Sequence, residues 1–107
     1  MKSLLWTGSS KADLLMFPGD ARRDAGFQLR KVQRGEEPSD WKSMSTIGPG
    51  VREIRIREES GAFRVIYLAS RAERIYVLHC FQKKSETTAL QDIELTRKRL
   101  KAIPKVK

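Results

Sequence analysis

The stretch VREIRIREESGAFRVIYLASRAERIYVLHCFQKK, residues 51–84, decides the fold: three strand-like runs separated by short turns, studded with arginine and ending in a lysine pair. Read in period two, the first run puts Glu53, Arg55 and Arg57 on one face, while Val51, Ile54 and Ile56 supply apolar contacts. The arginines are therefore expected to point together, away from the core. Glu58-Glu59-Ser60-Gly61 reads as a hairpin turn closed by Gly61. The second run, Phe63 to Leu68, breaks an apolar series with Arg64. The third, Ile75 to Phe81, is apolar apart from His79 and Cys80, as a strand covered on both faces or central in its sheet would be. Lys83, Lys84 and Ser85 follow where that strand leaves the sheet, and long cationic side chains there can lean back over the arginine face. A concave basic surface is predicted.

Outward from this stretch, Leu4 to Thr7 suits a short opening strand. Ser9 caps a short helix that Pro18 breaks. A second helix runs from Pro18 to Gly35 with Ala21, Ala25, Phe27, Leu29 and Val32 as its apolar or small residues, and Arg22, Arg23, Arg30, Lys31 and Arg34 on its flanks. The segment from Glu36 to Gly50 has no clear periodicity and reads as an ordered loop anchored by Trp41, Met44 and Ile47. After the lysine pair, Thr87 or Thr88 caps a final helix with Ala89, Leu90, Ile93, Leu95 and Leu100 as apolar contacts. Arg97, Lys98, Arg99 and Lys101 give that helix a cationic end, and Pro104 stops it. The expected fold is α+β: a small antiparallel sheet, an N-terminal helical hairpin on one face and a C-terminal helix, forming one domain over residues 1–107.

At 107 residues the chain has room for one modest core. No apolar stretch approaches the roughly 18–20 residues that span a bilayer, so no membrane segment is expected. The N-terminal apolar run stops at Thr7-Gly8, which points to a cytoplasmic protein. A net charge of +9 and a pI near 10.1 make nucleic acid the first partner class to consider. Charge alone also fits an acidic protein or an anionic membrane surface. The single cysteine, Cys80, reads as a small buried thiol. One histidine and one cysteine without clustered carboxylates do not make a zinc site, and neither a phosphate-binding glycine loop nor a nucleophile elbow is present. No cofactor or metal is expected.

RNA cleavage needs little machinery, because the 2′-hydroxyl of the substrate can attack the adjacent phosphorus once it is held in line and the developing charge is neutralised. Arg55, Arg57 and Arg64 are the candidates to clamp the scissile phosphate and its neighbours. Lys83 or Lys84 approaches the leaving 5′-oxygen from the strand end. His79 is the one side chain whose ordinary pKa suits proton transfer near neutrality, although a lone histidine in an apolar strand is more often a hydrogen-bonded structural residue. Arg52, Arg71, Arg97 and Lys98 are further candidate RNA contacts.

The series Lys11-Ala12-Asp13-Leu14, Phe17-Pro18, Gly26, Leu29, Val32-Gln33-Arg34-Gly35, Ile47-Gly48, Val51-Arg52-Glu53-Ile54, Phe63-Arg64-Val65-Ile66-Tyr67 and Leu78-His79-Cys80-Phe81-Gln82-Lys83-Lys84-Ser85 resembles the RelE/ParE superfamily of bacterial toxins, in its HigB-like branch with phage-derived members. The resemblance spans nearly the whole chain. It implies a type II toxin that enters the ribosomal A site and cleaves messenger RNA, held inactive by a cognate antitoxin, often a helix-turn-helix repressor. By position, the family's active surface falls on Arg55, Arg57, Arg64, Lys83 and Lys84. The best-known RelE pattern has a lysine on the second strand and a tyrosine in the last segment, where this chain has Arg55, Arg57 and a Thr87-Thr88 pair. Since arginine stays protonated, the base is left open among His79, a lysine of shifted pKa, and catalysis by positioning and electrostatics alone. A ParE-type inhibitor of DNA gyrase, or a non-catalytic basic module binding nucleic acid or an antitoxin, are the alternatives.

Overall fold

The computed structural model describes residues 1–69 and 73–104. In chain order the elements are β1 (Ser3–Trp6), α1 (Ser10–Leu15), α2 (Gly19–Gln33), β2 (Trp41–Ser43), β3 (Val51–Glu58), β4 (Gly61–Ala69), β5 (Arg74–Gln82) and α3 (Leu90–Lys101). The strands form one five-stranded sheet in the order β1-β5-β4-β3-β2. Every pairing is antiparallel except that of β1 with β5, which is parallel. The architecture is the predicted α+β.

Alternation along the strands divides the core into two layers. Ile54, Ile56, Phe63, Val65, Tyr67, Ile75 and Val77 face Leu14, Phe17, Ala21, Ala25, Leu29 and Val32 of the α1–α2 side. Val51, Ile66, Tyr76 and Leu78 face the other way, against Ile93 and Leu100 of α3. Burial on both sides is why β5 reads as continuously apolar. The β3–β4 turn is closed by Gly61 at φ 135°. It is tied to the start of α2 by the Ser60 hydroxyl, which donates to Asp20 Oδ1 over 2.6 Å.

Three expectations are corrected. The loop from Glu36 to Gly50 contains β2, a three-residue edge strand too short to show alternation, although Met44 and Ile47 are buried anchors as expected. Phe27 and Leu90, both assigned to helix cores, are exposed. On α2 the inward place is taken by Gln28, whose Oε1 accepts from the Ser39 N–H at 2.8 Å and so satisfies the start of the β2 connection. Among the described residues no helix is long and apolar enough to cross a membrane.

Gly26 lies in the interior of α2, and a Cβ placed there would meet nothing within 4 Å. Gly26→Ala is accordingly expected to stabilise the fold by about 0.5–1 kcal/mol through backbone entropy alone. A denaturant midpoint that rises without a change in slope is the check.

Candidate active site

A break in the β4–β5 register sets up the site. Ile66 pairs with His79 and Tyr67 with Val77, so Leu78 is an extra residue on β5. Leu78 and His79 consequently both turn toward α3, while Cys80 returns to the α1–α2 side. The bulged Leu78 carbonyl accepts from Arg99 Nη1 at 2.8 Å, which keeps it satisfied and pins α3 to the sheet. Beyond the bulge, Phe81 and Lys83 share the α3 face with Arg64, whose register partners are Phe81 on β5 and Arg55 on β3.

This register gathers charge at one end of the sheet. Arg57, Glu58, Gly61, Ala62 and Arg64 form one wall of an open cleft of about 650 Å³, and Lys83, Lys84, Ser85 and Glu86 form the other. The Lys83 N–H donates to the Ala62 carbonyl at 2.8 Å and locks the two walls together. Arg55 stands directly across the ladder from Arg64, but its guanidinium leans to Asp40 at 3.8 Å, at the rim of the cleft rather than in it.

Arg64 is only 3% exposed although it lines the cleft. Its counter-charge is Glu53, fully buried on β3, with Arg64 Nε 3.5 Å from Glu53 Oε1. At that separation the pair is a Coulombic contact without a well-formed hydrogen bond, and neither atom has another partner. Glu53 Oε2 accepts from the Thr88 hydroxyl at 3.0 Å, and Arg64 Nη1 donates to the Phe63 carbonyl at 3.0 Å. Burial lowers the Arg64 pKa, Glu53 opposes that change, and Arg55 and Arg57 add to it. Glu53 is its main compensation, with a weaker contribution from Asp40. Period-two reading puts Glu53 on the face of Arg55 and Arg57, which is correct; the outward orientation it gives that face holds for Arg57 and partly for Arg55 but not for Glu53, which is buried. The signal available was a lone carboxylate in a row of arginines.

Lys83 is half-buried, and its pKa is lowered by burial first and then by Arg64, with Lys42 and Arg55 contributing. His79 does not line the cleft. It is buried beneath α3 with Nε2 2.8 Å from Asp92 Oδ1 and its ring stacked on Phe81 at a centroid distance of 4.7 Å, while Nδ1 has no partner. The bulge that turns it toward α3 also encloses it.

The remaining cations are carried elsewhere. Arg52 points to the opposite face of β3, stacked 4.1 Å over Trp41 and bonded to Glu37 at 2.7 Å. Arg97 donates to the Thr46 carbonyl, and Lys98 borders a separate, largely apolar groove between β1 and the end of α3. Arg71 lies outside the described residues. Cys80 is buried against the α1–α2 layer, and desolvation, with Asp13 nearby, pushes its thiol up to about 12. A thiol so held does not ionise near neutrality. Among the described residues no three His, Cys, Asp or Glu side chains gather as a metal-ligand set.

The arrangement suits a bent anionic backbone: a buried guanidinium at the floor, exposed Arg57 and Lys84 on facing walls, and a lysine of depressed pKa beside the guanidinium. Glu58 and Glu86, which also line the cleft, repel phosphate and so favour paths that keep the chain against the cationic residues. Residues 12–101 match the model of the family described as phage derived protein Gp49-like (DUF891), and the chain belongs to that family. No curated protein matches the chain.

Proposed function

We propose that this Gp49-like chain is the toxin of a type II toxin–antitoxin pair, a metal-independent endoribonuclease that cuts messenger RNA in the ribosomal A site. The observation that carries the reading is the convergence of Arg57, Arg64, Lys83 and Lys84 on one cleft. A buried guanidinium beside a lysine of depressed pKa is suited to a dianionic phosphorane and a departing alkoxide. In the proposed reaction the 2′-oxygen attacks the adjacent phosphorus, the P–O5′ bond breaks, and the products are a 2′,3′-cyclic phosphate and a 5′-hydroxyl. Arg64 stabilises the equatorial oxygens, Arg57 and Lys84 hold the flanking phosphates, and protonated Lys83 delivers the proton to the leaving 5′-oxygen. The proton of the attacking hydroxyl leaves to solvent or to a ribosomal group, since His79 faces away from the cleft. An antitoxin that covers or fills this cleft would silence the protein.

Translation in an extract followed by primer extension tests the proposal: codon-linked cuts are expected with the toxin and absent without it. Intact messages, with stabilised gyrase–DNA breaks instead, would transfer the fold to the gyrase-inhibitor reading. The pH profile carries the assignment of Lys83. A lysine is the proton donor only below its pKa, and this one is lowered from 10.5. Cleavage should therefore fall as pH rises through a value below the ordinary lysine range. In Lys83→Arg that alkaline limb should disappear along with most of the rate, because arginine keeps its proton throughout. An unchanged limb in Lys83→Arg removes Lys83 from the reaction.

A further inference from the structure

On the side of the sheet away from the cleft, α2 turns a face of a single charge sign to solvent. At 100° per residue, Arg22, Gly26, Arg30, Arg23, Arg34 and Phe27 occupy an arc of about 140°, and each of these residues is exposed. No carboxylate of the helix falls inside the arc. Asp20 and Asp24 lie beyond its edge and are engaged by Ser60 and Gln28. Arg34 is bonded to Glu36, and Arg22, Arg23 and Arg30 have no ion pair among the described residues. Like charges at helical spacing destabilise a helix, and surface helices ordinarily intersperse both signs. A second, independent cost sits at the centre of this face: Gly26 weakens the helix although no neighbour needs the space its missing Cβ leaves. A glycine without a packing reason leaves room for a ligand backbone to approach closely.

We propose that this face of α2 is a docking surface for the phosphate backbone of duplex RNA, separate from the cleft; the choice of RNA over DNA rests on the function proposed for the cleft. Arg22, Arg23 and Arg30 span about 12 Å of helix axis, while double-stranded DNA presents about one phosphate charge per 1.7 Å and an RNA duplex is charged with comparable density. Several phosphates therefore lie within reach, and Gly26 admits the ribose-phosphate chain between the arginines. A protein partner fits less well, because a protein interface needs a desolvated apolar centre and this face offers only Phe27. With the cleft on the far side, a bound molecule can hold a single strand in the cleft and rest its other flank on a helix of structured RNA.

The test uses a labelled RNA hairpin carrying 2′-O-methyl groups throughout, so that binding is read without cleavage, titrated by anisotropy over a range of salt. The triple variant Arg22→Gln, Arg23→Gln, Arg30→Gln is expected to bind more weakly, with the slope of log affinity against log salt shallower by roughly 2 to 3. Gly26→Leu should weaken binding while leaving the circular-dichroism spectrum and melting temperature at least as good as those of the parent. Unchanged affinity and slope in a folded triple variant would overturn the proposal. So would a loss confined to the cleft double variant Arg57→Gln, Lys84→Gln. Loss of poly-glutamate binding with RNA binding retained would assign the face to an acidic protein and overturn it as well.

Discussion

Arg64→Ala is expected to lower message cleavage by about 10²–10³-fold, the usual consequence of removing one preorganised charge from a transition-state site. The side chain is engaged on two sides, by Glu53 on β3 and by the Phe63 carbonyl, while Arg55 and Arg57 nearby lower its pKa. Because Arg64 is almost fully buried and still reaches the cleft, its charge does not have to be stripped of water when a phosphate arrives. Truncation also leaves Glu53 buried without a counter-charge, so a drop in activity alone would be ambiguous. The pair Arg64→Met with Glu53→Gln resolves this, since it removes both charges and keeps most of the volume. Cleavage in that folded double variant should remain as low as in Arg64→Ala. Parent-like cleavage in the double variant would mean that Arg64 serves the fold and not the reaction.

The sequence carried the three strands from Val51 to Gln82, because their apolar positions and the Glu59-Ser60-Gly61 turn are local signals. It also carried the convergence of Arg57, Arg64, Lys83 and Lys84, because strand alternation and the position of the lysines at a strand end fix which side they occupy. Alternation likewise sets Arg52, one step out of phase with Glu53 and Arg55, on the other side of the sheet, where it faces Trp41. Two features were not legible. The bulge at Leu78 inverts alternation partway along β5, and nothing in an apolar run marks where an extra residue enters. Glu53 looks like any polar residue on an outward face until the segment leading into α3 lays Thr88 over it. Which polar residues become buried is settled by tertiary cover, and a period-two pattern does not encode that cover.

Glu53 carries the other large effect. Glu53→Ala leaves Arg64 charged, 3% exposed and facing Arg55 and Arg57 with only the weaker influence of Asp40 to offset them. Breaking a buried pair by removing one partner costs about 3–5 kcal/mol, which is a large share of the roughly 5–15 kcal/mol that holds a domain together. Glu53→Gln should be milder, at about 1–3 kcal/mol, because an amide oxygen can still accept from Thr88 while the charge is lost. Replacing both members by apolar residues of similar volume, Glu53→Leu with Arg64→Met, is expected to recover much of the loss, since neither charge then needs a partner. Denaturant titration of the parent, Glu53→Leu alone, Arg64→Met alone and the double gives the coupling directly. Strict additivity of the singles would mean that the 3.5 Å approach of Arg64 to Glu53 stabilises nothing, and that Glu53 is retained for its bond to Thr88. Strong coupling, together with inactivity of the stable double variant, would show one pair serving two ends: a buried charge held in the fold by its carboxylate and presented to the cleft by the same contact.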